Sequence, residues 1–299
     1  MVWQCPKPAE QWARGGFYGR DEGDGFRQTV NRTQCLTPCR RQPSFNDVTS
    51  ITHPLLLAIE SSGTTGSVAL LTPHQMPASL TFTSATLHSQ RLMPSIDWLF
   101  ERTGLAPGDL DAVAVARGPG SFTGLRIGMS VAKAVAYAAG ATILGISTLH
   151  ALALRVAGAA PAGMPVCALL DARQGQVYAL LARALLPVDI ATEQPSLHLA
   201  SPTLEVLHDE FAGSVEEVCG WIDAPTLFAG DGAVHLSELL RDRLGSRFLL
   251  APPVRLMLSA EEVGILAMQR LALGDTDNLA ALEPEYLRQS YTEAKKPRP

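Results

Sequence analysis

The residues of this chain that could do chemistry fall into a few groups. The foremost is the turn Arg117-Gly118-Pro119-Gly120-Ser121-Phe122-Thr123-Gly124-Leu125-Arg126-Ile127-Gly128, set between a strand-like run (Ala112 to Ala116) and a helix-like run (Leu125 to Ala139). Its glycines and proline force a tight turn that residues bearing a Cβ resist. Such a turn delivers backbone N–H groups at a helix N-terminus, where anions are favoured. The spacing is G-x-G-x-x-x-G with no Gly-Lys-Ser/Thr after it, so neither the dinucleotide-binding nor the Walker loop applies. A strand-to-helix connection that packs tightly and binds nothing is an equal alternative.

Two acids close apolar strands, Glu60 after Leu55–Ile59 and Asp171 after Val166–Leu170. Asp171 has Arg173 two residues on, so a structural ion pair is as good a reading as metal or phosphate duty. Gly230-Asp231-Gly232 follows the run Thr226–Ala229, and a bare Gly-x-Gly is by default a plain turn. The seven histidines are His53, His74, His88, His150, His198, His208 and His235, and no two stand four apart. Two imidazoles therefore do not converge on a metal from one helical face. Cys35-x-x-x-Cys39 would need two further ligands that nothing nearby suggests.

The elements that must position these groups are regular from about Pro54 onward. Leu55–Glu60 reads as a strand turned by Gly63-Thr64-Thr65-Gly66 into a second, Ser67–Leu71, with a third around Leu80–Ser84. A first helix runs from about Ser89 to Thr103, with Leu92, Met93, Ile96, Leu99 and Phe100 on one stripe. The strand Asp111–Ala116, the glycine turn and a second helix follow, then the strand Ile143–Ile146 and a helix over Thr148–Val156. A second half restarts the pattern. Val166–Asp171 ends in an acid as Leu55–Glu60 does, and Gly175, Val177, Ala179, Leu180 and Leu181 answer to Gly66, Val68, Ala69, Leu70 and Leu71. Duplication explains this better than chance and implies two related α/β halves with a cleft between them.

Length and composition bound the rest. The 299 residues are compatible with two domains, and 46% hydrophobic residues suffice for a core. No apolar run reaches the ~20 residues a bilayer span needs. A net charge of −5 argues against an extended nucleic-acid surface, though not against a local basic patch. Five scattered cysteines without a secretory segment point to a reducing cytoplasm. Residues 1–53 carry seven cations against five acids, a balance of +2 that leaves −7 for the remainder, and they lack apolar periodicity. They read as a disordered extension or as sequence upstream of the true start. The expected organisation is 54–160 as a first lobe, 161–289 as a second and 290–299 as a flexible basic tail.

Several ordered motifs carry a family resemblance. They are Leu57-Ala58-Ile59-Glu60-Ser61-Ser62, His88-Ser89-Gln90-Arg91-Leu92-Met93-Pro94, Arg117 to Gly128, Gly145-Ile146-Ser147-Thr148-Leu149, Asp171 to Tyr178, and Pro284-Glu285-Tyr286-Leu287-Arg288. With these the chain resembles the actin-like ATPase superfamily and, more closely, its TsaB (YeaZ-type) family, over Leu55 to Arg288. The resemblance implies an α/β, two-lobed actin-like ATPase (ribonuclease H-like) fold. It also implies a non-catalytic subunit of the complex that makes N6-threonylcarbamoyladenosine at position 37 of tRNA. The implied partners are the catalytic TsaD subunit, the TsaE ATPase through the TsaB–TsaD complex, a second copy when alone, and tRNA indirectly. No metal or cofactor is required, and weak ATP or ADP binding is allowed.

The partner surface implied by the family lies on the first two helices, at Arg91, Leu92, Ser95, Trp98, Leu99, Arg126, Met129, Ser130 and Lys133. The second helix is small or apolar almost all round, and such a helix must be covered on more than one side. Trp98 lies off the main stripe of the first helix and suits a partner surface. A residual nucleotide site would fall on Glu60, Ser61, Asp171, Gly230, Asp231 and Gly232. Relatives usually carry Asp where Glu60 stands. The extra methylene would displace a hydrated metal, which favours a hydrogen-bonded strand-end acid. The alternative function is an autonomous nucleotide-binding phosphotransferase, which would want an Asp at the first hairpin, an Asp-Gly pair at the second and a general base.

Overall fold

A computed structural model describes residues 53–83, 88–185 and 203–287. The expected extension (but for His53), Cys35 and Cys39, His198, Arg288 and the basic tail lie outside them. Ten strands form two five-stranded mixed sheets. The first holds β1 (Leu56–Glu60), β2 (Thr65–Leu71), β3 (Ala78–Thr83), β4 (Ala112–Gly118) and β5 (Thr142–Ser147), in the order β3-β2-β1-β4-β5. The second holds β6 (Pro165–Arg173), β7 (Gln176–Leu185), β8 (Thr203–Ser214), β9 (Thr226–Ala229) and β10 (Phe248–Leu250), in the order β10-β9-β6-β7-β8. Each sheet therefore repeats one plan. Its first strand is central, antiparallel to the second and parallel to the fourth.

The register shows how well the halves correspond. Leu56, Leu57 and Ala58 face Leu71, Leu70 and Ala69, and Cys167, Ala168 and Leu169 face Leu181, Leu180 and Ala179. The Ala-Leu-Leu segments are thus equivalent, and so are Glu60 and Asp171. The two valines are not: Glu60 faces Ser67, whereas Asp171 faces Val177. The second hairpin turns in one residue fewer, which slips Val177 by one position against Val68. Two such halves in tandem make an α/β fold of two five-stranded sheets, as the repeated strand-end acid implied.

Helices close the sheets on both faces. α1 (His88–Thr103) and α2 (Phe122–Ala139) cover one face of the first sheet, burying Leu92, Ile96, Leu99, Met129 and Ala132 against Leu57, Ile59 and Val113. α2 starts at Ser121, whose hydroxyl accepts from Gly124 N–H, and stops at Gly140 in the left-handed conformation. α4 (Val215–Gly220), α5 (Asp231–His235) and α6 (Ser237–Leu244) cover the outer face of the second sheet.

The inner helices are exchanged. α3 (Thr148–Ala157), next in the chain after the first sheet, buries Leu149, Leu152 and Val156 against Val166, Ala168 and Leu180 of the second. α7 (Ala260–Ala272), which follows the second sheet, buries Val263, Ala267 and Met268 against Leu56, Ala58 and Leu71 of the first. Arg155 of α3 and Glu262 of α7 join across that layer at 3.0 Å. Asp277 bridges back to Ile143 of β5, and Leu282 is buried in the first core. Chain order and packing therefore differ at both inner helices, α3 and α7. An apolar helix packs on whichever face its apolar stripe completes, and chain order does not decide that.

Candidate functional site

A cleft of about 460 Å³ opens where the hairpin tips, the start of α2 and the segment Leu256–Leu258 meet. Its walls include Ser62–Thr65, Ser121–Gly124, Asp171–Arg173 and Asp231. The glycine turn forms one wall, but most of its special geometry serves the chain itself. A Cβ at Gly124 would fall on the Ser61 carbonyl, and one at Gly128 on the Ser61 hydroxyl. Ser61 Oγ donates to Gly124 O at 2.9 Å, and Ser121 N–H donates to Ser62 O at 2.7 Å. The turn therefore seats α2 directly on the end of β1.

The expected nucleotide residues divide accordingly. Glu60 and Ser61 are fully buried and do not line the cleft. Glu60 Oε1 accepts from both the N–H and the hydroxyl of Ser62 at 2.6 Å, while Oε2 has no partner among the described residues. Burial pushes its pKa up to about 7. Gly230 and Gly232 are pressed against the β6 backbone at Leu169 and Leu170, leaving no room for a Cβ. Only Asp171 and Asp231 face the cleft. Asp231 Oδ1 accepts from Asp171 N–H at 3.0 Å, and Asp171 accepts from Arg173 N–H at 2.7 Å, with His235 Nδ1 at 3.6 Å. A buried glutamate with a raised pKa and an aspartate already paired with Arg173 do not fit the hydrated-metal and polyphosphate site that the resemblance allowed. Among the described residues no group of three or more His, Cys, Asp or Glu is placed to hold a metal. Nor is any described helix long and apolar enough to cross a membrane.

The expected partner surface also divides. Leu92 and Leu99 are 0% exposed, Met129 4% and Ser95 7%, so these four face the protein's own core and are removed from the surface. Leu92 and Leu99 are seven residues apart, which returns them to one helical face. Arg91, Trp98 (40% exposed), Arg126 and Ser130 are exposed, and Lys133 is half-buried. Sequence reasoning placed Met93 on the apolar stripe and passed over Tyr137, yet the two are 41% and 80% exposed on the same two helices. The signal for Tyr137 was present. Arg126, Ser130, Ala134 and Tyr137 recur at helical spacing and form the exposed stripe of α2.

The glycine-turn motif and the last motif of the resemblance meet at the rim of this surface. Glu285 N–H donates to Arg117 O at 2.7 Å, and the two side chains pair at 3.0 Å. Arg126 Nε–H donates to the Tyr286 hydroxyl at 3.1 Å, and Lys133 Nζ donates to Ala280 O at 3.3 Å. Residues 277–287 thus form a strap over the glycine turn and α2. Leu287 continues it onto the core of the second half.

Comparison with known proteins places this architecture. The sequence profile of TsaD, tRNA N6-adenosine threonylcarbamoyltransferase, matches residues 83–201. The tRNA threonylcarbamoyladenosine biosynthesis protein TsaB of Bacillus subtilis (strain 168) is 30% identical over 241 residues, covering 80% of this chain and 96% of that protein. TsaB of Escherichia coli (strain K12) is 29% identical over 242 residues, covering 81% of this chain and 98% of that protein. The solved structure of YeaZ from Pseudomonas aeruginosa is 29% identical with a TM-score of 0.63, covering 78% of this chain and all of that one. On a relationship that runs the length of those proteins, this chain belongs to the TsaB family.

Proposed function

We propose that the chain is a non-catalytic partner subunit in the biosynthesis of tRNA N6-threonylcarbamoyladenosine, binding and supporting a catalytic TsaD-type transferase. The observation that carries this reading is the contrast between the two surfaces. Glu60 is buried away from the cleft and the cleft's own Asp171 and Asp231 are spent on internal contacts, whereas α1 and α2 leave Met93, Trp98 and Tyr137 exposed. Large amphipathic side chains of this kind anchor protein interfaces. The same face pairs with a second copy when the transferase is absent. A TsaE-type ATPase and tRNA engage through the transferase, and no metal–nucleotide chemistry runs in this chain.

The test is reconstitution with the cognate TsaD-type transferase. The chain alone is expected to transfer no threonylcarbamoyl group and to hydrolyse no ATP at a useful rate, and the pair is expected to co-elute and to be active. Trp98→Glu is expected to abolish co-elution while circular dichroism stays unchanged, because an unpaired charge in an interface is costly. Metal-dependent turnover by the isolated chain, lost in Asp171→Ala, would establish the phosphotransferase alternative instead.

A further inference from the structure

The exposed face of α1 and α2 carries a charge pattern that specifies the kind of partner it fits. α2 contains Arg126 and Lys133 and no acid. α1 adds Arg91 and Arg102 against Asp97 and Glu101. The two helices therefore hold a positive excess within a chain whose net charge is −5. Two of these cations are engaged locally: Arg102 lies 5.7 Å from the Trp98 ring centroid, and Lys133 donates to Ala280 O.

Arg126 is held differently. Its guanidinium carbon stands 3.9 Å from the Phe122 ring centroid, and its Nε–H is spent on Tyr286 Oη. The Tyr286 ring packs on Phe122 at 5.2 Å, closing the cluster. Among the described residues the two terminal nitrogens of Arg126 have no acceptor, and Arg126 pairs with no acid. A guanidinium stacked on a ring and tethered through Nε keeps its terminal N–H fork free and already ordered. That fork matches a carboxylate with two parallel hydrogen bonds, and little freedom remains to be lost on binding.

We propose that Arg126 is the specificity-determining contact of this face, and that it receives a carboxylate from an acidic helix surface of a different protein rather than from a second copy of this chain. The proposal rests on the partner-subunit reading above and gives the partner its chemistry. In a two-fold pair each copy offers the other the same positive excess. Like charges across an interface weaken the wrong pairing, and an acidic partner relieves that repulsion. The negative charge of the whole chain disfavours a polyphosphate in the same place.

The experiment compares full-length chains with the cognate TsaD-type transferase by calorimetry at about 50 and 300 mM salt, and follows self-association by sedimentation. Exposed salt-sensitive contacts respond over that range. Arg126→Ala is expected to weaken the mixed complex at least about tenfold and to flatten its salt dependence. Arg126→Glu is expected to weaken it further while strengthening self-association, since it reduces the positive excess that opposes a homodimer. Tyr286→Phe keeps every charge and removes only the tether, and is expected to weaken the complex a few-fold. Circular dichroism of all three should match the parent chain, because Arg126 and Tyr286 are exposed. Suppose Trp98→Glu breaks the complex while both Arg126 variants bind like the parent at both salts. The surface then stands and the carboxylate contact is wrong. An intact complex with Trp98→Glu overturns the surface itself, and the proposal with it. Loss of tRNA binding by Arg126→Ala, with transferase binding unchanged, would assign the cluster to RNA and also overturn it.

Discussion

Replacing Gly128 by alanine should destabilise the protein, although helix propensity alone predicts the reverse. Within a helix, Gly→Ala is worth about 1 kcal/mol in favour of alanine. Gly128, however, faces the end of β1, and its new Cβ would fall on the Ser61 hydroxyl. Ser61 is fully buried, and turning its hydroxyl aside breaks the 2.9 Å bond to Gly124 O. Either the buried hydroxyl loses its partner or the contact is overpacked, and at so enclosed a site the one or the other costs about 2–3 kcal/mol. The net expectation is a loss of about 1–2 kcal/mol once the propensity gain is set against it. The other neighbours are permissive: Ser61 Cβ would lie 3.5 Å and Val115 Cγ2 3.6 Å from the new atom, ordinary contact distances. In a Ser61→Ala background the obstacle is gone, and Gly128→Ala should then be neutral or stabilising by up to about 1 kcal/mol. Urea unfolding of the four proteins of this double-mutant cycle gives the coupling, expected at about 1–3 kcal/mol. A stabilising Gly128→Ala in the parent chain, or the same effect in both backgrounds, would refute the claim that Ser61 seats α2.

Glu60 predicts a pH dependence. Its folded pKa is raised from 4.5 to about 7, so the folded state binds the extra proton and loses stability as pH rises through that window, levelling above about 7. Glu60→Gln cannot ionise, and its stability relative to the parent chain should improve between about pH 5 and 7 and then level off in urea titrations; a pH-independent difference would contradict the assignment. Arg155→Ala should cost about 3–5 kcal/mol, because it strands the buried Glu262 carboxylate, to which Arg155 Nη1 donates at 3.0 and 3.1 Å. Burial pushes the Glu262 pKa up even with Arg155 beside it, so removing the cation leaves a group that is expensive to keep ionised. Thermal unfolding measures the loss, and a change below about 1 kcal/mol would mean that water already serves this pair.

Much of this protein was legible in the residues themselves. Apolar runs bounded by glycine turns located the strands, and the stripe Leu92, Ile96, Leu99 and Phe100 located α1, because burial imposes periods of 2 and 3.6 on any chain. The repeated acid and Ala-Leu-Leu segment disclosed two related halves, and the registers of β1–β2 and β6–β7 agree at those residues. The candidate surface was legible only in part. Period alone places Leu92 and Leu99 together, but a partner and a sheet bury a leucine by the same physics. Only the neighbouring strands show that the sheet claims them. The motifs Arg117–Gly128 and Pro284–Leu287 are each visible along the chain. Their meeting through Arg117 with Glu285 and Arg126 with Tyr286 spans about 160 residues, and no local pattern encodes so remote a contact. The exchange of α3 and α7 between the sheets is tertiary for the same reason. Amphipathicity states that a helix has a face to bury, and the shape of the available surfaces decides where.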